Sequence, residues 1–181
     1  DRYIYRIKQA GTQTIRLATT DADVGLCTVT LQADYFDTET ITIDQTAYVE
    51  VTGTISFAND NQRTERTNNK QVWKNDGVTL TNEKGSGQDV TNRTNPVRFY
   101  SGQKLTIGAE GNIKSITFVC NNSTYATNLK NSIGTVSGAT VTTSGSNVTV
   151  TFTNATATQF VINLTAEVRM NSLTVAYYKQ Q

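Results

Sequence analysis

A chain of 181 residues with 16 Lys and Arg, 15 Asp and Glu and a net charge of +1 has room for one large β-sandwich or two smaller modules. It contains no histidine, which excludes a Ser-His-Asp triad, a Cys-His dyad and the common His-containing zinc and iron sites. Threonine fills 33 positions and proline one, so strand and turn formers outweigh the residues typical of helical proteins.

From the amino end, alternating segments predict strands at YIYRI (3–7), TIRLAT (14–19), LCTVTLQA (26–33), TITI (40–43) and YVEV (48–51). Residues 1–53 carry eight acids against four bases, whereas 54–181 carry seven against twelve. That change of sign coincides with a break in pattern at VTGT (51–54), and we place a module boundary there, to within about four residues. The first segment, 1–53, is short for an independent sandwich and has the strand order of a small or partial immunoglobulin-like module. Its missing half is expected upstream or in another subunit.

Residues 54–181 predict a longer series: TISFA (54–58), QVW (71–73), GVTLTN (77–82), VRFY (97–100), KLTIG (104–108), IKSITFVC (113–120), ATVTT (139–143), NVTVTFT (147–153), QFVINL (159–164) and SLTVAYY (172–178). Apolar residues recur at every second position and turn signals such as SGQK, AEGN and TSGSN fall at hairpin spacing. The expectation is an all-β, antiparallel β-sandwich, jelly-roll or immunoglobulin-like. One short helix is expected near 123–132, where Tyr125, Leu129 and Ile133 repeat every four residues. Ser123 or Thr124 would cap it and Gly134 would close it. The polar stretches 57–71 and 82–95 read as loops able to carry function on a rigid scaffold, or as plain solvated connections.

Five residues are candidate ligand contacts. Trp73, with Lys74 and Asp76 beside it, would suit a sugar if the indole were exposed, its ring stacking on a pyranose while the polar neighbours take hydroxyls; the competing reading is a core plug. Arg98 and Tyr100 share the face opposite Val97 and Phe99, and would bind an anionic or hydroxylated ligand or stand as a solvated sheet face. Cys120, in phase with Ile116 and Phe118, reads as a buried thiol, with a Cys27–Cys120 disulfide as the alternative.

Other chemistry is less favoured. The seven acids of the second module are scattered without the paired arrangement that glycoside hydrolysis needs, so no catalytic residue is assigned and no enzyme is expected. No cofactor is expected, and a structural calcium ion is left open at oxygen-rich loops such as DADVG (21–25), which lack full calcium-loop spacing. The bases Arg63, Arg66, Lys70 and Lys74 are interrupted by Glu65, which disfavours nucleic acid. No run of about 18 apolar residues could span a membrane and no leader stands at the amino end. The start at Asp1 reads as a processed protein or a fragment of a longer one. Sequons at Asn92, Asn121, Asn122, Asn147, Asn154 and Asn163 arise readily in a Thr/Asn-rich chain and do not establish glycosylation.

The segments QVWKNDGVTLTNEK, NPVRFYSGQKLTI, GNIKSITFVCNNSTYATNLKNSIGTVSGATV and VRMNSLTVAYYK resemble a β-sandwich module repeated in proteins of gut Bacteroidetes and in gut phage sequences, over about 54–179. VGLCTVTLQADYFDTETITI is similar to the closing strands of bacterial immunoglobulin-like repeats. The resemblance implies an accessory domain of surface, adhesive, carbohydrate-active or virion proteins and transfers no site residues. The resulting expectation is a non-catalytic, extracellular or cell-surface adhesion module that binds polysaccharide or cell-surface glycan. The alternative is a structural subunit of a virion or pilus-like assembly, partnered by copies of itself or other subunits.

Overall fold

The computed structural model describes residues 27–31, 39–43, 48–90 and 96–180, and the chain divides into compact units at 1–47 and 48–181. In the first unit β1 (Cys27–Leu31) and β2 (Glu39–Ile43) form an antiparallel hairpin. The expected strands at 3–7 and 14–19, the DADVG loop and the side chain of Cys27 lie outside the described residues.

The second unit is an antiparallel β-sandwich. Its strands are β3 (Tyr48–Ser56), β4 (Arg63–Arg66), β5 (Lys70–Asn75), β6 (Val78–Glu83), β7 (Val97–Phe99), β8 (Lys104–Ala109), β9 (Asn112–Cys120), β10 (Ala139–Ser144), β11 (Asn147–Phe152), β12 (Gln159–Asn163) and β13 (Val168–Gln180). One sheet runs β10-β11-β9-β13-β3, with β7 also paired to β13; the other runs β12-β8-β6-β5-β4. Alternation explains the layers: Ile116 and Phe118, Val148 and Val150, and Leu173 and Val175 turn inward from the first sheet, and Leu80, Leu105, Ile107 and Ile162 from the second. Phe57 lies between them, its ring edge-on to Trp73 at 5.2 Å and to Phe99 at 5.8 Å.

Two expected strands, YVEV and TISFA, are one. β3 pairs continuously with β13 from Tyr48–Gln180 to Ser56–Ser172, so it runs through the point where the sequence pattern breaks, and the compact units divide at 47/48 instead. Gly53 interrupts the pattern because the two sheets approach there: a Cβ would come within 2.5 Å of Val78 Cγ2 and closer still to the Asp76 carbonyl oxygen.

The helix α1 spans Ser123–Ile133 and buries Ala126 and Leu129, packing on strands of both sheets. Its cap is Asn122 rather than Ser123 or Thr124: the Asn122 side-chain oxygen accepts from the Tyr125 N–H at 3.1 Å, and Gly134 ends the helix at φ +66°. Cys120 is a free, buried thiol, and burial pushes its pKa up to about 12.

The threonine-rich composition has a place in this architecture. On the outward side of the first sheet, Thr142, Thr149, Thr117, Thr174 and Thr54 lie side by side across five strands. The adjoining rows are Thr140-Thr151-Ser115-Ala176-Thr52 and Ser144-Asn147-Val119-Ser172-Ser56. Hydroxyls meet across the central row, Thr54 with Thr174 at 3.0 Å and Thr117 with Thr149 at 3.3 Å.

Candidate functional site

The outward side of the second sheet holds an open trough of about 500 Å³. Register sets its floor: Lys74 pairs with Thr79, Thr79 with Gly108, and Gly108 with Gln159, while Val72, Thr81, Thr106 and Val161 form the next row. Gly108 leaves a notch between Thr79 and Gln159, since a Cβ there would meet nothing nearer than 3.9 Å. Farther along the strands Lys104 pairs with Glu83 at 2.5 Å and Lys70 with Glu65 at 2.9 Å.

One end of the trough is built by two turns. Asp76 (φ +46°) and Gly77 (φ +72°) are both left-handed, the signature of a type I′ hairpin, which Asn, Asp and Gly tolerate and most residues do not. The turn is fixed from three sides. Tyr177 Oη donates to the Asp76 carbonyl at 3.1 Å, Glu110 N–H donates to the Gly77 carbonyl at 2.9 Å, and the Asn75 amide donates to Thr54 O and Asp76 Oδ2, each at 2.7 Å. Glu110 pairs with Lys179 at 2.6 Å, which raises the lysine's pKa. Lys74 has no carboxylate partner among the described residues.

The five sequence-predicted residues fall in three places. Lys74 and Asp76 reach the trough. Trp73 is 0 % exposed, which corrects the exposed-platform reading: it packs between Phe57 and the Arg63 guanidinium, 4.9 Å from the ring centroid, and its Nε1–H has no partner among the described residues. The Arg63 side chain is itself buried, held by Asp60, whose carboxyl it keeps below the ordinary value through a hydrogen bond. Arg98 belongs to the other sheet, beside β13, and Tyr100 directly follows the end of β7. The residues missed by sequence reasoning are Thr79, Thr106, Glu110 and Gln159. The outward threonines were visible as the alternate positions of GVTLTN and KLTIG, but their meeting depends on strand register.

The polar stretches 57–71 and 82–95 are structured and joined, as far as they are described. The first contains a 3₁₀ turn, Asp60–Gln62, and β4; Lys84 N–H donates to Asn69 O and Val90 N–H to Asn68 O, both at 2.8 Å. Beneath them runs a fully buried amide chain, Gln71 to Asn82 to Gln103, with both links at 3.1 Å. Gln103 Oε1 also accepts from Tyr100 N–H at 3.0 Å, and its Nε2 donates to Gln88 O at 2.9 Å.

Among the described residues no three of His, Cys, Asp and Glu converge as a metal site, and no helix is long and apolar enough to cross a membrane. The fold and the trough together define a β-sandwich with a shallow, polar sheet-face groove. Comparison with known proteins adds no closer assignment: no family model matches the chain, nor does any curated protein or solved structure.

Proposed function

We propose that the chain is a non-catalytic binding module of an extracellular or surface protein, and that its trough holds a polyhydroxylated chain, a glycan. The observation that carries this reading is the lining: hydroxyls of Thr79 and Thr106, the Gln159 amide, the Lys74 ammonium and the Asp76 and Glu110 carboxylates converge on an open groove. Such groups pair with sugar hydroxyls, and a groove without an aromatic platform gives weak affinity. Asp76 and Glu110 sit exposed on adjoining turns at one end rather than across the groove, which supports binding over hydrolysis. The resemblance of 54–179 to accessory modules of gut bacteria and phage agrees with it.

The test is a calorimetric or NMR titration against a panel of neutral and acidic oligosaccharides. Binding that weakens about tenfold in Lys74→Ala or Gln159→Ala and persists in Trp73→Phe supports the trough. Binding by no saccharide, or affinity unchanged in both trough variants, defeats it.

A structural subunit of a virion or pilus-like assembly is a second reading, favoured by β10. This strand ends its sheet with ATVTTS and carries no charge or proline to guard its unpaired backbone groups. Sedimentation that finds only monomer at high concentration counts against it.

A further inference from the structure

The first sheet sets two arginines side by side on its outward face. Arg98 of β7 lies directly opposite Arg169 of β13 in antiparallel register, and like charges so placed repel. Both point to the solvent side, because Val97, Phe99, Val168 and Met170 around them are buried. Arg169 is nevertheless held in one orientation. Its Nε–H donates to Glu167 Oε1 at 2.7 Å and its guanidinium lies over the Tyr125 ring, 5.1 Å from the centroid. Tyr100 is near enough to act on it electrostatically.

These contacts leave the two terminal nitrogens of Arg169 without a protein acceptor, and Arg98 without a carboxylate, among the described residues. Two guanidiniums, two phenols and one carboxylate thus share a patch. A fork whose Nε is already anchored presents its outer N–H groups to a planar or tetrahedral oxyanion.

We infer that Arg98 and Arg169, flanked by Tyr100 and Tyr125, form an oxyanion-binding site for the carboxylate or sulfate of an acidic saccharide. The guanidiniums take the charged group and the phenols take neighbouring hydroxyls. An anion held by both arginines would be attracted by each of two neighbouring positive charges. The saccharide part rests on the glycan reading above, but the site lies on the other sheet from the trough and is tested apart from it.

The experiment titrates the whole chain with oligogalacturonate, a sulfated oligosaccharide, their neutral counterparts and inorganic sulfate, following arginine side-chain NMR signals and affinity at low and moderate salt. Acidic saccharides are expected to bind and weaken with salt, and neutral ones to leave the arginine signals unmoved. Arg98→Gln is expected to lose tenfold or more in affinity while its Tm stays level or rises, because a repulsion is removed; Arg98→Lys loses several-fold. Lys84→Gln, at an exposed lysine that pairs with Asp89 away from both the trough and the arginines, leaves acidic binding intact. Inorganic sulfate that binds as tightly as the saccharides overturns the saccharide assignment. The site itself is overturned by arginine signals that move equally with neutral and acidic ligands, by affinity for acidic saccharide unchanged in Arg98→Gln, or by an equal loss in Lys84→Gln.

Discussion

Replacing Asn82 with leucine isolates the cost of orphaning a buried amide, because the side chains are similar in size and position 82 is fully enclosed. Among the described residues, the change removes the only acceptor of Gln71 Nε2 and one of two donors to Gln103 Oε1, which keeps the Tyr100 N–H. An orphaned buried donor costs about 1–3 kcal/mol and a lost second bond about 1, so the expected destabilisation is about 2–4 kcal/mol. In a unit of this size that lowers Tm by about 6–15 °C. Urea unfolding followed by fluorescence of Trp73, the sole tryptophan and a core residue, reads it as a lower midpoint at unchanged slope. The triple change Gln71→Leu, Asn82→Leu, Gln103→Leu removes that chain entirely and should cost less than three times the single change. A shift below about 0.5 kcal/mol in Asn82→Leu would refute the reasoning.

Other outcomes follow from the same packing. Trp73→Ala should destabilise by about 3–5 kcal/mol through the cavity it leaves; thermal melts check it, and a surface-like cost of under about 0.5 kcal/mol would contradict a core position. Gly53→Ala should cost about 1–3 kcal/mol and loosen the Asp76–Gly77 turn, since the new methyl meets backbone at the Asp76 carbonyl; unchanged melting would show that the sheets can part there. Cys120 should resist thiol reagents in the native state at pH 8 and react once unfolded, which peptide mapping reads at that residue. Its folded pKa is about 12 against an ordinary 9.0. Between these values only the unfolded chain sheds the proton, so this thiol's contribution makes stability fall as pH rises, by about 1.4 kcal/mol per pH unit. A stability curve flat across that window would contradict it.

Strands with clean alternation were legible in the sequence, as NVTVTF and QFVIN show, because one face is apolar and the other polar. The orientation of QVWKN was not. Gln71 and Trp73 face inward while Val72 stays on the outward side, since an amide partner lets Gln71 be buried and leaves the polar pattern misleading. β4 was hidden for a related reason: RTER has no apolar residue, and its inward group is a guanidinium laid on an indole. Candidate sites were legible only as fragments. The sequence places Lys74 near Asp76 and Arg98 near Tyr100, but Gln159 and Arg169 join them through pairings that span fifty or more residues.

The rows of threonine and serine on the first sheet separate its central outward face from ordinary titration. Twelve of the fifteen positions bear hydroxyls and none bears an ionisable carboxyl, amine or guanidinium. The potential above that field is therefore set by fixed dipoles and by charges at its rim, such as Lys114 with Glu50, whose reach at 0.15 M salt is about 8 Å. The opposite sheet, with Lys70, Glu65, Lys104, Glu83 and Lys74, answers to ionic strength directly. The outward side of the second sheet thus varies in charge with salt and acidity, while the hydroxyl field at the centre of the first keeps its polarity through both.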